Sequence, residues 1–354
     1  MVYINGRFLT QPVTGVNRFA LEICKALAEL RYDFRVVVPG SVGNRKDLPF
    51  ELCSFGNLTS HFWEQIDLLR FLRKEGTPLL VNLSGLGPLY YRNQIITIHD
   101  LSFYRQPEWF SRPYRMFYSF ATPVISRSAQ AIITVSEFSK GEIIKYLNTD
   151  PGKIVVVPNA VSANITQDEG SGMDKEILKK KYLLAVSSLD PRKNHQRLIE
   201  AFGQDGFKDY NLLLVGKGSR NFNVRLETGD NSRIKFLGYI SDADLSLLYK
   251  RAELFVYPSL YEGFGIPPLE AMANGCAVVV SDIESLREVC GDAAEYVNPQ
   301  SASSIGEGVL NVLHDEGLRG ELVSRGMKRA AYFSWQRSAE RLLALLSQIN
   351  HEVK

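Results

Sequence analysis

Short unbroken apolar runs alternate along the whole chain with segments in which apolar residues return every three or four positions. The runs at 2–4, 34–38, 79–82, 94–98, 131–135 and 153–157 are strand-length and lack polar alternation, the mark of parallel strands covered on both faces. Between them, residues 15–30, 61–73, 113–128 and 137–147 have helical periodicity, so βαβ units are the economical assembly. Polar composition takes over from 162 to 181, including Gln167-Asp-Glu-Gly-Ser-Gly-Met-Asp174 and a lysine-rich run, which predicts a linker ending in a short helix. The alternation then restarts, with strands at 182–187, 212–215, 234–237, 254–257, 277–281 and 294–297 and helices at 195–202, 242–251 and 267–274. This pattern predicts two doubly wound α/β domains with a cleft between them. Ligands of such sheets bind beyond the carboxyl ends of strands, so the informative loops are those leaving strands.

Composition sharpens this picture by exclusion. A chain of 354 residues exceeds one comfortable core, in keeping with two domains. Its 41 basic and 39 acidic residues leave a formal charge of +2, which gives no support for nucleic acid held by general phosphate attraction. Cys24, Cys53, Cys276 and Cys290 lack C-x-x-C spacing and read as packing residues in a reducing compartment, against disulfides and zinc. No signal peptide is evident and no apolar run is long enough to span a bilayer, so a cytoplasmic protein is expected. The N-x-S/T triplets at Asn57, Asn82 and Asn164 then carry no meaning.

The richest segment is Tyr257-Pro-Ser-Leu-Tyr-Glu-Gly-Phe-Gly-Ile-Pro-Pro-Leu-Glu270, where Glu262 and Glu270 flank a glycine turn and a helix start. Gly263 and Gly265 permit close backbone approach, and Pro267-Pro268 suit a first helical turn, in which Glu270 is expected to fall. Amides at a helix N-terminus attract phosphate, and carboxylates beside an anion are costly unless they bind hydroxyls. A nucleotide sugar, with a diphosphate between two hydroxyl-rich rings, meets that requirement. The plain alternative makes Glu270 a helix-dipole partner and Glu262 a solvated turn residue.

Other strand exits carry compatible chemistry. In Leu189-Asp-Pro-Arg-Lys-Asn-His195, Arg192 and Lys193 precede a helix and suit a diphosphate, or form a solvated basic turn. Val215-Gly-Lys-Gly-Ser219 offers a glycine turn for a nucleobase to lie on, and Leu237-Gly-Tyr-Ile-Ser241 offers backbone groups to read its edge. Gly216-Lys-Gly218 imitates a dinucleotide fingerprint, but Asn221 breaks G-x-G-x-x-G and weakens a dehydrogenase reading. In the first half, Thr14-Gly-Val-Asn-Arg18 opens a helix with amides and Arg18 at the cleft, or is simply a cap. Ile98-His-Asp100 places His99 where it can touch a sugar hydroxyl or leaving group, or serve as a structural histidine. Ser136 and Glu137 open another helix, and they and Asn159 can be read as caps.

Asp242-Ala-Asp244 has the D-x-D spacing of a metal-diphosphate site, but helix capping is the preferred reading and no metal is expected. His61, His195 and His314 show no ligand spacing. Residues 107–118 are rich in aromatics and arginines. They read as packing or as an acceptor-side surface in which Trp109, Arg112 and Arg115 meet sugar rings, phosphate or an anionic membrane, with Arg18 and Glu137 as further acceptor-side candidates.

Together these motifs resemble the retaining glycosyltransferases of family 4, which have the GT-B fold of two Rossmann-like domains facing a cleft. The resemblance spans nearly the whole chain. It rests on Glu262-Gly-Phe-Gly-Ile-Pro-Pro-Leu-Glu270, Asp190-Pro-Arg-Lys-Asn194, Val135-Ser-Glu-Phe-Ser139, Val157-Pro-Asn159, Ile98-His-Asp100 and Phe333-Ser-Trp335, in that family's order and spacing. It implies that Arg192 and Lys193 bind donor diphosphate, Glu270 the ribose, and Glu262 with the Gly263-Phe264-Gly265 backbone the transferred sugar, near Leu269. His99 would face that sugar, Gly216, Tyr239 and Ile240 would hold the base, and Gly15 would approach the diphosphate. Many relatives have a double glycine where this chain has Gly15-Val16. The implied domains are 1–168 with a returning helix in 336–354, and a donor domain at 169–335. The implied reaction moves a hexose, GDP-mannose favoured, to a glycan or lipid-linked acceptor in bacterial surface polysaccharide synthesis, with possible peripheral contact at the inner membrane face. UDP- or dTDP-sugar transfer (for example rhamnose), a nucleotide-sugar epimerase and a non-catalytic nucleotide-sugar-binding protein stand as alternatives. A phosphorylase is disfavoured by length and by the lack of an evident lysine for pyridoxal phosphate.

Overall fold

In the computed structural model, residues 1–11, 14–43, 45–166, 175–216 and 231–352 are described. They fall into two units: Met1–Pro107, Arg112–Asn159 and Ser334–Lys354 form the first, and Glu108–Ser111 with Ala160–Phe333 the second.

The first unit is built on a parallel sheet of β1 (Val2–Asn5), β2 (Phe34–Val38), β3 (Leu52–Ser54), β4 (Leu79–Asn82), β5 (Gln94–Thr97), β6 (Ala131–Thr134) and β7 (Ile154–Val156). Their order is β3-β2-β1-β4-β5-β6-β7, so the winding direction reverses between β1 and β4. Ile4 lies in register with Val36 on one side and Val81 on the other, and all three are buried, as the unbroken apolar runs require. Strand β3 was not expected. Its Leu52-Cys53-Ser54 is half-buried to exposed and pairs on one side only, so it needs no apolar run to announce it.

The helix expected over 61–73 is three segments: an α-turn Ser60–Phe62, a π-helical Trp63–Asp67 and an α-helix Leu68–Lys74. The wider π-turn carries Trp63, Glu64 and Asp67 into the interior together.

The last helix, Trp335–Glu352, packs along Gly15–Glu29, the helix that follows β1. Leu342, Leu345 and Leu346 are buried on it, facing a stripe that includes Phe19, Ile23 and Leu27. The Phe19 and Trp335 rings meet at 6.0 Å, and Ser338 Oγ donates to the Pro158 carbonyl at 2.7 Å. The first unit ends at Asn159 rather than at 168 because the turn Ala163–Thr166 is held by second-unit residues. Asn274 Nδ2 donates to the Ile165 carbonyl at 3.0 Å and Lys250 Nζ to that of Thr166 at 3.1 Å.

The second unit contains β8 (Tyr182–Val186), β9 (Asn211–Val215), β10 (Ile234–Gly238), β11 (Leu254–Tyr257), β12 (Val278–Ser281) and β13 (Glu295–Val297), all parallel. The order β10-β9-β8-β11-β12-β13 puts the reversal between β8 and β11. Leu183, Leu212, Leu254 and Val256 of the sheet pack with Leu198, Phe202, Val309 and Val312 from helices covering it. The expected turn residues Lys217, Gly218 and Ser219, and Asn221, lie outside the described residues.

The returning helix supplies a test of this packing. Leu342→Ala removes a fully buried side chain and is expected to lower unfolding free energy by about 2–5 kcal/mol, seen as a lower urea midpoint at unchanged slope. Ala344→Ser, at an exposed position of the same helix, should stay within about 0.5 kcal/mol of the parent.

Candidate functional site

The turn after β8 is built by its own short-range bonds. Asp190 caps the 3-10 turn Pro191–Lys193: one carboxylate oxygen accepts from the Arg192 amide at 3.0 Å and the other from Arg192 Nε at 2.9 Å. Asn194 follows in the left-handed region at φ 61°, a conformation asparagine tolerates. Its Nδ2 donates to the Pro258 carbonyl at 2.9 Å and the Pro299 carbonyl at 2.7 Å, while the Leu260 amide donates to the Arg192 carbonyl at 2.7 Å. The exit of β8 is thereby tied to the exit of β11, the strand across the winding reversal.

Across that reversal Lys193 meets Glu262. Lys193 Nζ lies 2.6 Å from Glu262 Oε1 and donates to the Tyr257 hydroxyl at 2.9 Å, with Lys193 at 8% and Glu262 at 7% exposure. The solvated-turn alternative for Glu262 is therefore overturned. Burial disfavours the Glu262 charge, but Lys193 and Arg192 outweigh it and hold the carboxyl below its ordinary range. Burial draws the Lys193 ammonium down, against the pull of Glu262. Tyr257 and Asn194 are site residues that the sequence reading missed. Tyr257 looked like the last residue of an apolar strand, whereas Asn194 had a signal in its position immediately before a helix.

Glu270 is also buried, and Tyr249 donates its hydroxyl to Glu270 Oε2 at 3.1 Å. It falls in the second turn of the helix Ile266–Ala273, not the first, because the helix begins at Ile266 after Gly265 at φ 102°. Pro267 and Pro268 occupy the opening positions, so the first turn presents fewer amides to an anion than a proline-free turn would. Phe264 and Leu269 are buried, with the Phe264 ring against Phe333 at 5.4 Å, so they offer a ligand backbone rather than side chain. Nothing in the local pattern marked Tyr249, a lone aromatic in an amphipathic helix.

At the exit of β9, Gly216 has φ 148°, and a Cβ there would run into the Ser187 carbonyl. Its amide donates to the Gly238 carbonyl at 2.9 Å, so glycine is demanded by close approach of the strand exits. After β10, Tyr239 is 72% exposed and Ile240 half-buried. Asp242 and Asp244 sit in the first turn of the helix Asp242–Arg251, but Ser241 is the cap, its hydroxyl accepting from the Asp244 amide at 3.1 Å. Among the described residues no group of three or more His, Cys, Asp or Glu is placed to hold a metal ion.

The first unit carries the remaining predicted residues except Trp109. Gly15 opens the helix Gly15–Glu29 behind the Thr14 cap, whose hydroxyl accepts from the Asn17 amide at 3.4 Å, and Arg18 lies half-buried one turn on. His99, just beyond β5, places Nε2 3.1 Å from the Leu83 carbonyl, which makes Nε2 the donor and leaves Nδ1 as an acceptor. Burial lowers the His99 pKa, so the ring is neutral at pH 7. Ser136 caps the helix Glu137–Leu147 through the Ser139 amide, leaving Glu137 exposed in its first turn. Asn159 is buried and its Oδ1 finds no hydrogen-bond partner among the described residues, so within them it does not act as a cap through that oxygen. Arg112 is exposed and Arg115 half-buried on the helix Arg112–Ser128, while half-buried Trp109 groups with the second unit.

Two parallel doubly wound units, one with a cation and carboxylate cluster where its winding reverses, have the architecture of the GT-B class of glycosyltransferases. Residues 13–164 match Glycosyltransferase Family 4 and residues 172–329 match Glycosyl transferases group 1. O-antigen chain mannosyltransferase B of Escherichia coli is 31% identical over 92% of this chain and 93% of its own length. O-antigen chain mannosyltransferase RfbU of Salmonella typhimurium is 34% identical over 69% of this chain and 67% of its own. The crystal structure of Anabaena HepE in complex with UDP and glucose superposes with a TM-score of 0.73 at 18% identity, covering 98% of this chain and 99% of that one. The chain belongs to the family 4 glycosyltransferases.

His195 makes the site's acid sensitivity testable. It begins the helix His195–Phe202, is 4% exposed, and pairs Nε2 with Ser187 Oγ at 2.8 Å. Burial, above all, pushes its pKa from 6.5 to about 4, and a helix N-terminus also disfavours a cation. The unfolded chain therefore takes up this proton first as pH falls. Stability from this group is complete above pH 6.5 and is lost towards pH 4, by up to about 3 kcal/mol. Urea titrations across that window should show the loss, and His195→Gln should flatten it.

Proposed function

We propose that this protein transfers a mannosyl unit from GDP-mannose, with retention of anomeric configuration and without a metal ion, to a hydroxyl of a glycan or lipid-linked oligosaccharide in bacterial surface polysaccharide synthesis. The observation that carries the reading is the buried Lys193–Glu262 pair, fixed 2.6 Å apart between the exits of β8 and β11 with Arg192 and Glu270 in the same unit. A ligand there finds cations for a diphosphate and carboxylates for ring hydroxyls. The choice of mannose is supported by the two O-antigen chain mannosyltransferases, at 31% and 34% identity.

In this mechanism the bond between the anomeric carbon and the diphosphate oxygen breaks, its electron pair going to the diphosphate. Arg192 and Lys193 stabilise that growing charge, which removes the need for a metal at the leaving group. The acceptor oxygen bonds the anomeric carbon on the face the diphosphate leaves, and the acceptor proton passes to a diphosphate oxygen. Two features favour this route over an enzyme nucleophile or base. Glu262 is committed to Lys193 and has a lowered pKa, and burial lowers the pKa of His99, so both are weak bases.

A lipid-linked acceptor fits the surface of the first unit. Phe62, Met116 and Phe120 are 73%, 71% and 67% exposed, and the exposed Arg112 shares a helix with the latter two. Among the described residues no helix is long and apolar enough to cross a membrane, so such contact would be peripheral.

Incubation with GDP-mannose, UDP-glucose and dTDP-rhamnose in the presence of mannosides tests the reading. Transfer from GDP-mannose to an α-linked product, identified by its anomeric NMR coupling and undiminished by EDTA, is expected. Lys193→Gln should lower kcat/KM by at least about 100-fold. Exclusive use of another donor, a β-linked product, or loss of turnover on chelation would each remove the corresponding part of the proposal.

A further inference from the structure

Glu270 sits on a helix that neighbouring segments of the second unit hold through buried side-chain bonds. The helix Asp242–Arg251 carries Ser246 and Tyr249, one turn apart and both buried, against the helix Ile266–Ala273. Tyr249 donates its hydroxyl to Glu270 Oε2 at 3.1 Å, and Ser246 Oγ donates to Asn274 Oδ1 at 3.0 Å. Asn274, which ends the second helix, donates its Nδ2 to two carbonyls, that of Glu270 at 2.8 Å and that of Ile165 at 3.0 Å. Glu270 is thus bonded at both ends, its carboxylate to Tyr249 and its carbonyl to Asn274.

Tyr249 has little freedom to turn elsewhere. Its side chain is fully buried, its ring meets that of Phe255 in β11 edge-on at 5.5 Å, and the residue before it is tied to β8, where the Tyr182 hydroxyl donates to the Leu248 carbonyl at 2.9 Å. Burial, followed by the charge of Glu270, raises the Tyr249 pKa well above its ordinary value, so the phenol keeps its proton and the bond runs one way. The core does not call for that hydroxyl. A phenylalanine ring would fill the same space, and a hydroxyl taken out of water is costly unless it meets an acceptor. The two helices are joined in any case by Ser246 and Asn274. What the Tyr249 hydroxyl adds is a fixed direction for one carboxylate.

We propose that Tyr249 is a positioning residue for nucleotide binding: its hydroxyl holds the Glu270 carboxylate in the orientation that receives the ribose hydroxyls of the donor. The inference rests on the reading above in which Glu270 meets the ribose, and adds to it the group that sets where the carboxylate points. Glutamate is a rotamer-rich side chain, and ordering it when the ligand arrives would take back part of each hydroxyl bond. Anchored by a buried phenol, it is ordered before binding. Tyr249 is itself fully buried, so it acts on the ligand only through Glu270.

The test is calorimetric titration of the full chain with GDP and with UDP, each beside its 2′,3′-dideoxy form. The parent is expected to bind its preferred ribonucleoside diphosphate about tenfold or more tightly than the dideoxy form. Tyr249→Phe should cut that preference to about threefold or less while affinity for the dideoxy form stays within about twofold of the parent, and the donor KM should rise more than kcat falls. Added to Glu270→Gln, Tyr249→Phe should change the preference no further, because the hydroxyl acts through the carboxylate. A preference kept intact in Tyr249→Phe, equal weakening of both forms, or additive effects in the double variant would overturn the proposal. A parent indifferent to the ribose hydroxyls would take the ribose away from Glu270 and the proposal with it. Binding of UDP in place of GDP would change the donor in the proposed function and leave the Tyr249 comparison to decide the inference.

Discussion

An ammonium and a carboxylate buried 2.6 Å apart, beyond the ends of two adjacent parallel strands, constrain everything around them in the second unit. Removing two charges from water costs several kcal/mol per ion, and mutual attraction repays this only when the remaining donors and acceptors are also satisfied. The site meets that condition through its neighbours: Tyr257 takes a second Lys193 proton, Asn194 ties the loops after β11 and β13 to the turn carrying Lys193, and Asp190 holds Arg192 beside it. An apolar pair of equal volume would stabilise the fold as well or better. In the function proposed above, the charges are there for what they do to a ligand. In the proposed reaction, leaving-group charge arrives next to cations already in place, so little reorganisation is needed as the bond breaks.

The same logic applies to the first unit with different residues. Where its winding reverses, the sheet presents an amide relay ending on Glu64, with Arg7 and His61 around that carboxylate. Both reversals are thus lined with polar groups held rigid by strand exits. The groups differ in net character: Arg192 and Lys193 lie with Asp190 and Glu262 in the second unit, whereas Arg7 and His61 surround the single carboxylate of Glu64 in the first.

Most of the architecture was legible in the residues because parallel strands buried on both faces leave unbroken apolar runs, and helices covering them leave a regular stripe. The strands at 34–38, 79–82 and 254–257 and the helices at 137–147, 195–202 and 242–251 appear at those bounds. The edge strand Leu52–Ser54 escaped because one exposed side removes the apolar requirement, and the π-turn at Trp63–Asp67 escaped because one wide turn leaves helical periodicity almost unchanged. In the site, Arg192, Lys193, Glu262 and Glu270 were visible as charged residues at strand exits and a glycine turn. Their partners Tyr257 and Tyr249 were not, since contacts across 64 and 21 positions of sequence leave no local periodic trace. Glu270 was placed one turn early, because Gly265 and not the preceding segment sets the start of its helix.

The central claim is that the buried pair after β8 and β11 is where donor diphosphate and donor sugar are recognised. A crystal structure of the protein with GDP-mannose, or with GDP and mannose, tests it most directly. The account predicts diphosphate oxygens within hydrogen-bond distance of Lys193 and Arg192, ribose hydroxyls on Glu270 and the hexose against Glu262. A nucleotide bound away from the β8 and β11 exits, with Lys193 still engaged only by Glu262 and Tyr257, would contradict it.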